Sequence, residues 1–153
     1  EEVEQLIGDK IQFQVRAGDL KIGDWFQGGI IAYVLKSGDK GYDRDVPHGL
    51  IAAPSDQTTY LNWTTANRIC NDLELNGYSD WYLPSKEELN KLYLNKTTIG
   101  GLGMLKSGSP LASRYWSSTE SVNDNAWNRN FNDGYQGNDN KSSPYYVRAV
   151  RAF

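Results

Sequence analysis

Short apolar runs and alternations in the first third of the chain predict β-strands. Apolar and polar residues alternate over 11–16, which is typical of a half-buried strand, although this stretch could equally be the tail of an upstream domain. Two continuous apolar runs follow, over 30–35 and 49–53, and each is short enough for a buried strand. Because the segment between them is rich in turn-forming residues, these two strands are predicted to form a central hairpin.

A first helix is predicted from apolar residues that recur at helical spacing over 66–73. Thr64 and Thr65 come directly before this pattern, and either hydroxyl could cap the first helical turn. Gly77 follows where the left-handed residue that ends many helices is wanted. These signals predict an amphipathic helix that begins after a threonine cap and ends before Gly77.

A capping box marks a second helix after Pro84. The Ser85 hydroxyl can accept a hydrogen bond from the third helical N–H, while the Glu88 side chain reaches back to the N-cap N–H. The segment 100–112 is rich in Gly, Ser and Leu without periodicity and is predicted to be a loop. Three later strands are predicted over 115–118, 126–131 and 145–153.

Length and charge limit the function classes. The chain has 153 residues, which suits a single domain with an ordinary hydrophobic core. Its net charge of -3 and pI near 5.1 provide no basic stripe for a phosphate backbone, so no nucleic-acid partner is expected. No apolar run is long enough to span a bilayer, so no membrane insertion is expected either.

A polar segment between Ser121 and Tyr145 differs in composition from the rest of the chain. It holds seven asparagines, whereas the much longer stretch before it holds six. Asparagine and serine side chains make adaptable hydrogen bonds, and tyrosine adds large amphipathic contact area at little cost in rotamer entropy. The well-patterned segments 115–120 and 147–151 bracket this polar region, which favours a binding face held by a stiff scaffold.

The residues predicted to contact a ligand are the small polar and aromatic members of this segment together with Val122. They are Ser121, Val122, Asn123, Asp124, Asn125, Asn128, Asn130, Asn132, Asp133, Tyr135, Gly137, Asn138, Asp139, Asn140, Ser142, Ser143 and Tyr145. Tyr146 adjoins the following strand and is predicted to be core. An alternative interpretation stays open, in which the segment is a set of turn-rich hairpins, because Asn, Asp and Gly tolerate positive φ.

Other residue types give weak support for catalysis. Cys70 is the only cysteine and lies on the apolar face of the first helix, where a thiol behaves as a small buried hydrophobe. His48 is the only histidine and is interpreted as a turn residue. Glu87, Glu88 and Glu120 form no compelling acid–base pair. No catalytic residue and no cofactor are therefore expected.

Aspartates and tryptophans could in principle form a metal site or an aromatic sugar platform. Five aspartates could bind calcium but match no calcium-loop spacing, so no metal site is expected; they are Asp43, Asp45, Asp124, Asp133 and Asp139. Four tryptophans could stack on a sugar, but their apolar neighbours favour core packing; they are Trp63, Trp81, Trp116 and Trp127. Trp25, beside Phe26 and two glycines, is ambiguous.

Apolar, aromatic and charged residues form an ordered series through the chain from Trp63 onward. The series is Trp63, Ala66, Cys70, Leu73, Gly77, Asp80-Trp81, Leu83-Pro84, Glu88-Leu89, Leu92, Tyr115-Trp116-Ser117-Ser118, Ala126-Trp127, Phe131, Gly134 and Val147-Arg148-Ala149-Val150-Arg151. It resembles the bacterial C-type-lectin-like family named after the C-terminal domain of Legionella collagen-like protein. The resemblance runs from about Gly23 to Phe153. It implies an α+β fold in which two helices pack on small antiparallel sheets with long loops, over residues 21–153, with 1–20 as a strand or linker extension.

The resemblance also implies a function. Within this family, the Asn-rich stretch is similar to the variable region of proteins diversified by retroelements, in which mutagenesis of adenines scatters substitutions over Asn codons. The implied protein is a noncatalytic binder on a phage virion or a bacterial surface, or secreted, and its partner is a cell-surface protein or glycan. Trp127, Gln136 and Lys141 cannot arise from a mutated Asn codon and would be invariant framework.

Two alternatives of other classes remain. One is a nonvariable structural or adhesive tip module, in which the Asn-rich loops only join strands. The other is an enzyme on the related fold of the formylglycine-generating oxidases, which is disfavoured because those enzymes need a cysteine pair and this chain has only Cys70.

Overall fold

The computed structural model describes residues 3–7, 10–102 and 113–153. The strands are β1 (Val3–Ile7), β2 (Lys10–Gln14), β3 (Trp25–Phe26), β4 (Gly29–Val34), β5 (Gly49–Ala52), β6 (Thr58–Leu61), β7 (Arg114–Glu120), β8 (Asn125–Asn130), β9 (Gln136–Asn140), β10 (Tyr145–Val147) and β11 (Val150–Ala152). The helices are α1 (Trp63–Asn71), α2 (Lys86–Leu94) and α3 (Lys96–Ile99), with a 3-10 turn at Ala17–Asp19.

The predicted central hairpin is confirmed as the middle of a four-stranded antiparallel sheet in the order β11-β5-β4-β3. Ile31 lies opposite Ile51, and both are fully buried, as expected for strands built from continuous apolar runs. The last strand, β11, pairs with β5 and returns the chain to this sheet. Residues 11–14 of the predicted alternation over 11–16 lie in a strand, since β2 ends at Gln14 and pairs with β1 in a two-stranded sheet of its own.

A five-stranded sheet carries the second half of the chain in the order β6-β10-β7-β8-β9. Strands β7, β8 and β9 form an antiparallel meander, so the Asn-rich segment is part of a sheet. The chain then crosses to the other side of β7, where β10 runs parallel to it, with Tyr146 opposite Tyr115. The predicted strand over 145–153 is therefore two strands, β10 and β11, which belong to different sheets.

The two larger helices pack against β7. Tyr115 belongs to the core cluster that contains Leu89 and Leu92 of α2, whereas its neighbour Trp116 belongs to the cluster that contains Ala66 and Cys70 of α1. Because successive strand residues point to opposite faces, β7 places one aromatic ring on each side of the sheet. The stability of the domain thus depends on packing around these two rings.

Burial of the aromatic residues follows the prediction in part. Tyr146, Trp81 and Trp116 are buried, which confirms them as core residues. Trp63 and Trp127 are half-buried, and Trp25 is 61% exposed.

The start of α1 differs from the prediction that Thr64 or Thr65 caps it. The helix begins at Trp63, and the Asn62 side chain accepts a hydrogen bond from the Thr65 N–H at 2.9 Å. Trp63 is held at this position because its indole N–H donates to the Ser117 carbonyl at 2.8 Å. The tertiary contact of the tryptophan therefore sets the first helical residue ahead of the threonines.

The end of α1 also differs. The helix ends at Asn71, and Asp72 keeps right-handed backbone angles. Gly77 has φ of +84° but lies in a tight turn, where the main chains of Leu75 and Tyr78 bond to each other in both directions at 3.0 Å. The glycine thus serves a separate turn and does not end the helix.

The second helix matches the prediction. Ser85 and Glu88 form the capping box at the start of α2, and the Tyr82 hydroxyl donates to the Glu88 carboxylate at 2.6 Å. Most of the loop predicted over 100–112 lies outside the described residues. The short strands β3 and β6 were not predicted, and neither was β9, which has an entirely polar sequence apart from Gly137.

Two arginines connect the end of the chain to earlier elements. The buried Arg148 donates to the carbonyls of Ala53 at 2.6 Å and Gly100 at 2.9 Å. Arg151 forms two bonds with the Asp80 carboxylate, at 2.7 and 3.1 Å. The resulting α+β arrangement, with helices on small sheets, agrees with the predicted C-type-lectin-like fold.

Candidate ligand-binding surface

The seventeen predicted contact residues fall into three groups by exposure. The exposed residues are Val122, Asn123, Asp124, Asn132, Asp133, Tyr135, Asn138, Asn140 and Ser142. The half-buried residues are Ser121, Asn125, Asp139, Ser143 and Tyr145. The buried residues are Asn128, Asn130 and Gly137. The meander therefore presents part of the predicted set to solvent and keeps part of it inside.

The prediction that Asn128, Asn130 and Gly137 contact a ligand is at odds with their burial. Strand alternation points Asn128 to the same face of the sheet as the buried Trp116, its partner in register on β7. Gly137 lies opposite Asn128 on β9, and a Cβ there would approach the Asn128 Oδ1 to 2.6 Å. Asn128 bonds across the strands, the Asn130 side chain bonds within the following turn, and Gly137 leaves room for Asn128, so all three residues have structural roles inside the sheet.

A polar network surrounds Asn128. Its Oδ1 accepts from the Arg114 guanidinium at 2.8 Å, and its Nδ2 donates to the Asp139 carboxylate at 2.8 Å. The Tyr145 hydroxyl donates to the same carboxylate oxygen at 2.8 Å. Burial, and then the bond to Asp139, raise the pKa of Tyr145. The hydrogen bonds tie four strands, β7 to β10, together beneath the exposed residues.

Tyr135 extends this network toward solvent. Its ring is 62% exposed, and the Arg114 guanidinium lies 5.5 Å from the ring centre. The Asp133 carboxylate accepts from the Tyr135 N–H at 2.9 Å, which fixes the turn between β8 and β9. An exposed aromatic ring on an ordered turn is well suited to contact a ligand.

Several asparagines have a structural role in the turns. Asn123 has φ of +53° in the turn between β7 and β8. The side chain of Asn130 accepts from the Asn132 N–H at 2.8 Å, and that of Asn140 accepts from the Ser142 N–H at 2.9 Å. The alternative interpretation of the segment as turn chemistry therefore accounts for these three asparagines.

A polar cleft of about 490 Å³ brings the segment together with the first turn of α1. Its lining residues are Asn62, Thr64, Thr65, Asp124, Asn140, Lys141 and Ser142. Three of these belong to the predicted contact set. The α1 residues were missed because they lie some sixty or more positions earlier in the chain; their only local signal, a run of hydroxyls at a helix start, suggested capping.

The electrostatics of this cleft are nearly balanced. The Lys141 ammonium lies 2.8 Å from a Glu120 carboxylate oxygen and 4.3 Å from the centre of the Trp63 ring. The main chains also meet, since the Trp63 N–H donates to the Lys141 carbonyl at 2.9 Å. With the lysine occupied, the cleft offers mainly hydroxyl and amide groups and the Asp124 carboxylate. Such groups bind a polar ligand through hydrogen bonds.

The side chains of Cys70 and His48 both make contacts of a structural kind. Cys70 is fully buried, as predicted, and burial raises the pKa of its thiol to about 12, which disfavours the reactive thiolate. His48 Nδ1 lies 3.1 Å from the Phe153 carbonyl oxygen. Within the described ranges, no three His, Cys, Asp or Glu side chains come close enough together to hold a metal ion.

Comparisons with known proteins identify the family. None of the helices in the described part of the chain is long and apolar enough to cross a membrane. Comparison with curated proteins gives no significant match. The family described as the Lcl C-terminal domain matches residues 41–151, more than half of the chain, which confirms the predicted resemblance; the chain belongs to this family of lectin-like binding modules.

Proposed function

We propose that this domain is a noncatalytic ligand-binding module whose contacts come from the exposed residues of 121–145. One observation carries the proposal: nine of the predicted contact residues are exposed on a meander whose backbone is held by buried members of the same segment. A fixed backbone lets the exposed side chains change without loss of the fold.

The chemistry of the surface favours recognition over reaction. Tyr135 supplies an amphipathic ring, and the cleft beside α1 supplies hydroxyl and amide groups. The lysine that lines this cleft, Lys141, is paired with Glu120 and lies over the Trp63 ring. A cell-surface protein or glycan fits this combination, and we place the module on a phage virion or a bacterial surface, or among secreted proteins, in line with its family.

Diversification by a retroelement is the finer part of the proposal. It is supported by the resemblance and by the contacts of residues that a mutated Asn codon cannot encode. Trp127 lies 3.7 Å from the Lys86 ammonium and its carbonyl accepts from Ser117, while Lys141 contacts Glu120. These residues have structural reasons to stay constant. Burial further restricts the proposed variation to the exposed and half-buried positions.

Binding can be tested with matched substitutions. We expect Tyr135→Ala and Asp124→Ala each to weaken binding to intact bacterial cells or to an immobilised glycan array by about fivefold or more, as for a contact worth at least 1 kcal/mol. Tyr42→Ala and Asp72→Ala change exposed residues of the same types outside the segment and serve as controls. If all four variants lost binding equally, or if none of them lost binding, the assignment of the surface would be contradicted.

The genomic test addresses diversification separately. We expect a near-identical, adenine-rich copy of the segment encoding residues 115–151 to lie near the gene, beside a reverse transcriptase. Mismatches between the copies would fall at template adenines, and Gly137 and Asn128 would stay constant. The absence of any such copy would refute diversification while leaving the binding proposal intact.

A nonvariable adhesive module is the second candidate. The turn roles of Asn123, Asn130 and Asn140 favour it, since they explain these asparagines without any ligand. It predicts that sibling genes from one source do not vary over 121–145. Sequencing such siblings separates the two candidates.

A further inference from the structure

Strand β9 forms the longest regular edge of the two larger sheets. At the other edges, β3 has two residues, β11 has three, and β6 has four with an irregular register against β10. Strand β9 has five residues and pairs with β8 without a break in register. It contains no lysine or proline, the residues that commonly protect sheet edges from pairing with other chains.

The main chain of β9 points hydrogen-bonding groups away from the sheet. The Lys141 N–H donates to the Asp124 carbonyl at 2.7 Å, and the Asn130 N–H donates to the Tyr135 carbonyl at 2.8 Å. In an antiparallel ladder, bonded and outward-facing residues alternate, so Gly137 and Asp139 face β8 while Gln136 and Asn138 face outward. Two N–H groups and two carbonyls are thus oriented as a template for another strand.

A cleft lies beside this edge on the α2 side. Gln136 lines it together with Lys86, Glu87, Asn90 and Lys91 of α2, and its volume is about 360 Å³. An added strand would continue the pleat of β9, so every second side chain would point toward α2.

Two lysines give the cleft a preference for negative charge. The Lys86 ammonium lies 3.7 Å from the centre of the Trp127 ring, and the Lys91 ammonium lies 4.1 Å from that of Tyr33. Because both side chains rest on aromatic rings, they are held in place before a ligand arrives. Among the described residues, Glu87 is the one carboxylate in the lining of this cleft, while Lys91 also interacts with the Asp39 carboxylate beside Tyr33, so Lys86 supplies most of the positive charge on the β9 side.

We propose that the β9 edge accepts an extended peptide segment of a protein partner as an additional strand, with carboxylate side chains of the peptide facing Lys86 and Lys91. This inference rests on the proposed binding function and assigns its partner to the protein class. Main-chain hydrogen bonds provide affinity in such complexes, and alternate side chains provide specificity. The outward N–H and carbonyl of Asn138 lie at the centre of the pairing.

The probe is a displayed library of random linear dodecapeptides, panned against the full chain. We expect selected peptides to carry Asp or Glu at alternate positions. Asn138→Pro removes the outward N–H without removing a main-chain bond to β8, so it should lower the affinity for a selected synthetic peptide by at least about tenfold. Asn138→Ala keeps that N–H and should lower the affinity by no more than about fivefold. Thermal melting verifies that both variants are folded.

Methylation of the peptide backbone provides a test that needs no variant of the protein. N-methyl groups at alternate peptide residues should weaken binding by at least about tenfold, and those at intervening residues should not. Selection of no peptide, equal effects of proline and alanine at 138, or absence of the alternation would each overturn the proposal. A wild-type dimer that Asn138→Pro converts to a monomer would assign the edge to a second copy of this chain and overturn it too.

The outcomes separate this inference from the proposed function. If Tyr135→Ala reduces binding to cells or glycans while Asn138→Pro and backbone methylation have no special effect, the binding surface stands and the added strand is refuted. If peptide binding follows the expected alternation, the strand proposal stands whatever the result on glycans.

Discussion

The substitution Gly137→Ala tests whether the buried members of the Asn-rich segment hold the meander together. A Cβ at this position would lie 2.6 Å from the Asn128 Oδ1 and closer still to the Arg114 guanidinium. Real Cβ atoms do not approach so closely, so either β9 must shift or the bond between Arg114 and Asn128 must break. Asn128 is buried and cannot move into solvent, whereas the Arg114 guanidinium ends a flexible side chain that is 26% exposed and can move away by giving up its bond to Asn128.

The magnitude follows from these contacts. Overpacking of a filled site costs about 1–3 kcal/mol. If the bond between Arg114 and Asn128 breaks instead, the buried Asn128 amide loses its partner, which also costs about 1–3 kcal/mol. The lower entropy of the unfolded alanine chain offsets about 0.4–1 kcal/mol of either cost. We therefore expect the free energy of unfolding to fall by roughly 1–2 kcal/mol.

Urea denaturation followed by tryptophan fluorescence measures this change. Gly18→Ala is the matched control, because a Cβ there meets no atom within 4 Å and its backbone is not in the left-handed region. The control should unfold at nearly the wild-type urea concentration. A Gly137→Ala variant as stable as the control would refute the structural role of this residue and would return Gly137 to the set of predicted contact residues.

Three further predictions concern the scaffold. Trp116→Ala should lower the free energy of unfolding by about 3–5 kcal/mol in urea, because it truncates a fully buried aromatic ring; a cost below 1 kcal/mol would contradict its place in the core. Asn62→Ala should cost about 1 kcal/mol as loss of the N-cap, and Thr64→Ala clearly less; the reverse order would restore the threonine cap. The bond to Arg151 holds the pKa of Asp80 below 3.8, so this pair stabilises the fold above that pH and loses its effect as the pH falls through the lowered pKa. Asp80→Asn should therefore flatten the acid limb of urea midpoints measured from pH 5 to pH 2, and an unchanged limb would refute the linkage.

Local sequence signals predicted the elements that depend on local chemistry. The capping box at Ser85 and Glu88 needs only four consecutive residues, and the hairpin of β4 and β5 follows from two apolar runs and a turn. The start of α1 could not be predicted in this way. Its first residue depends on the bond from the Trp63 indole to Ser117, which is far away in the chain.

Strand β9 shows the same limit more clearly. Its sequence, Gln136–Asn140, has no hydrophobic side chain, so no alternation of hydrophobic and polar residues predicts a strand there. It is a strand because β8 offers a complete register and because Gly137 makes room for the contact between Asn128 and Arg114. The cleft beside α1 was hidden for a similar reason, since its two walls come from distant parts of the chain.

The burial of Asn128 and Gly137 changes what variation at this surface requires. A segment that varied at every Asn codon would sooner or later replace the amide that joins Arg114 to Asp139, and the meander would lose the network under its exposed face. Variation confined to exposed positions such as Asn138 leaves that network intact. Strand β9 then has two separate roles. Its main chain on the β8 side and Gly137 preserve the fold, while its outward main chain and exposed side chains are accessible to a partner. On the proposed function, such a face would change its ligand by substitution of side chains alone.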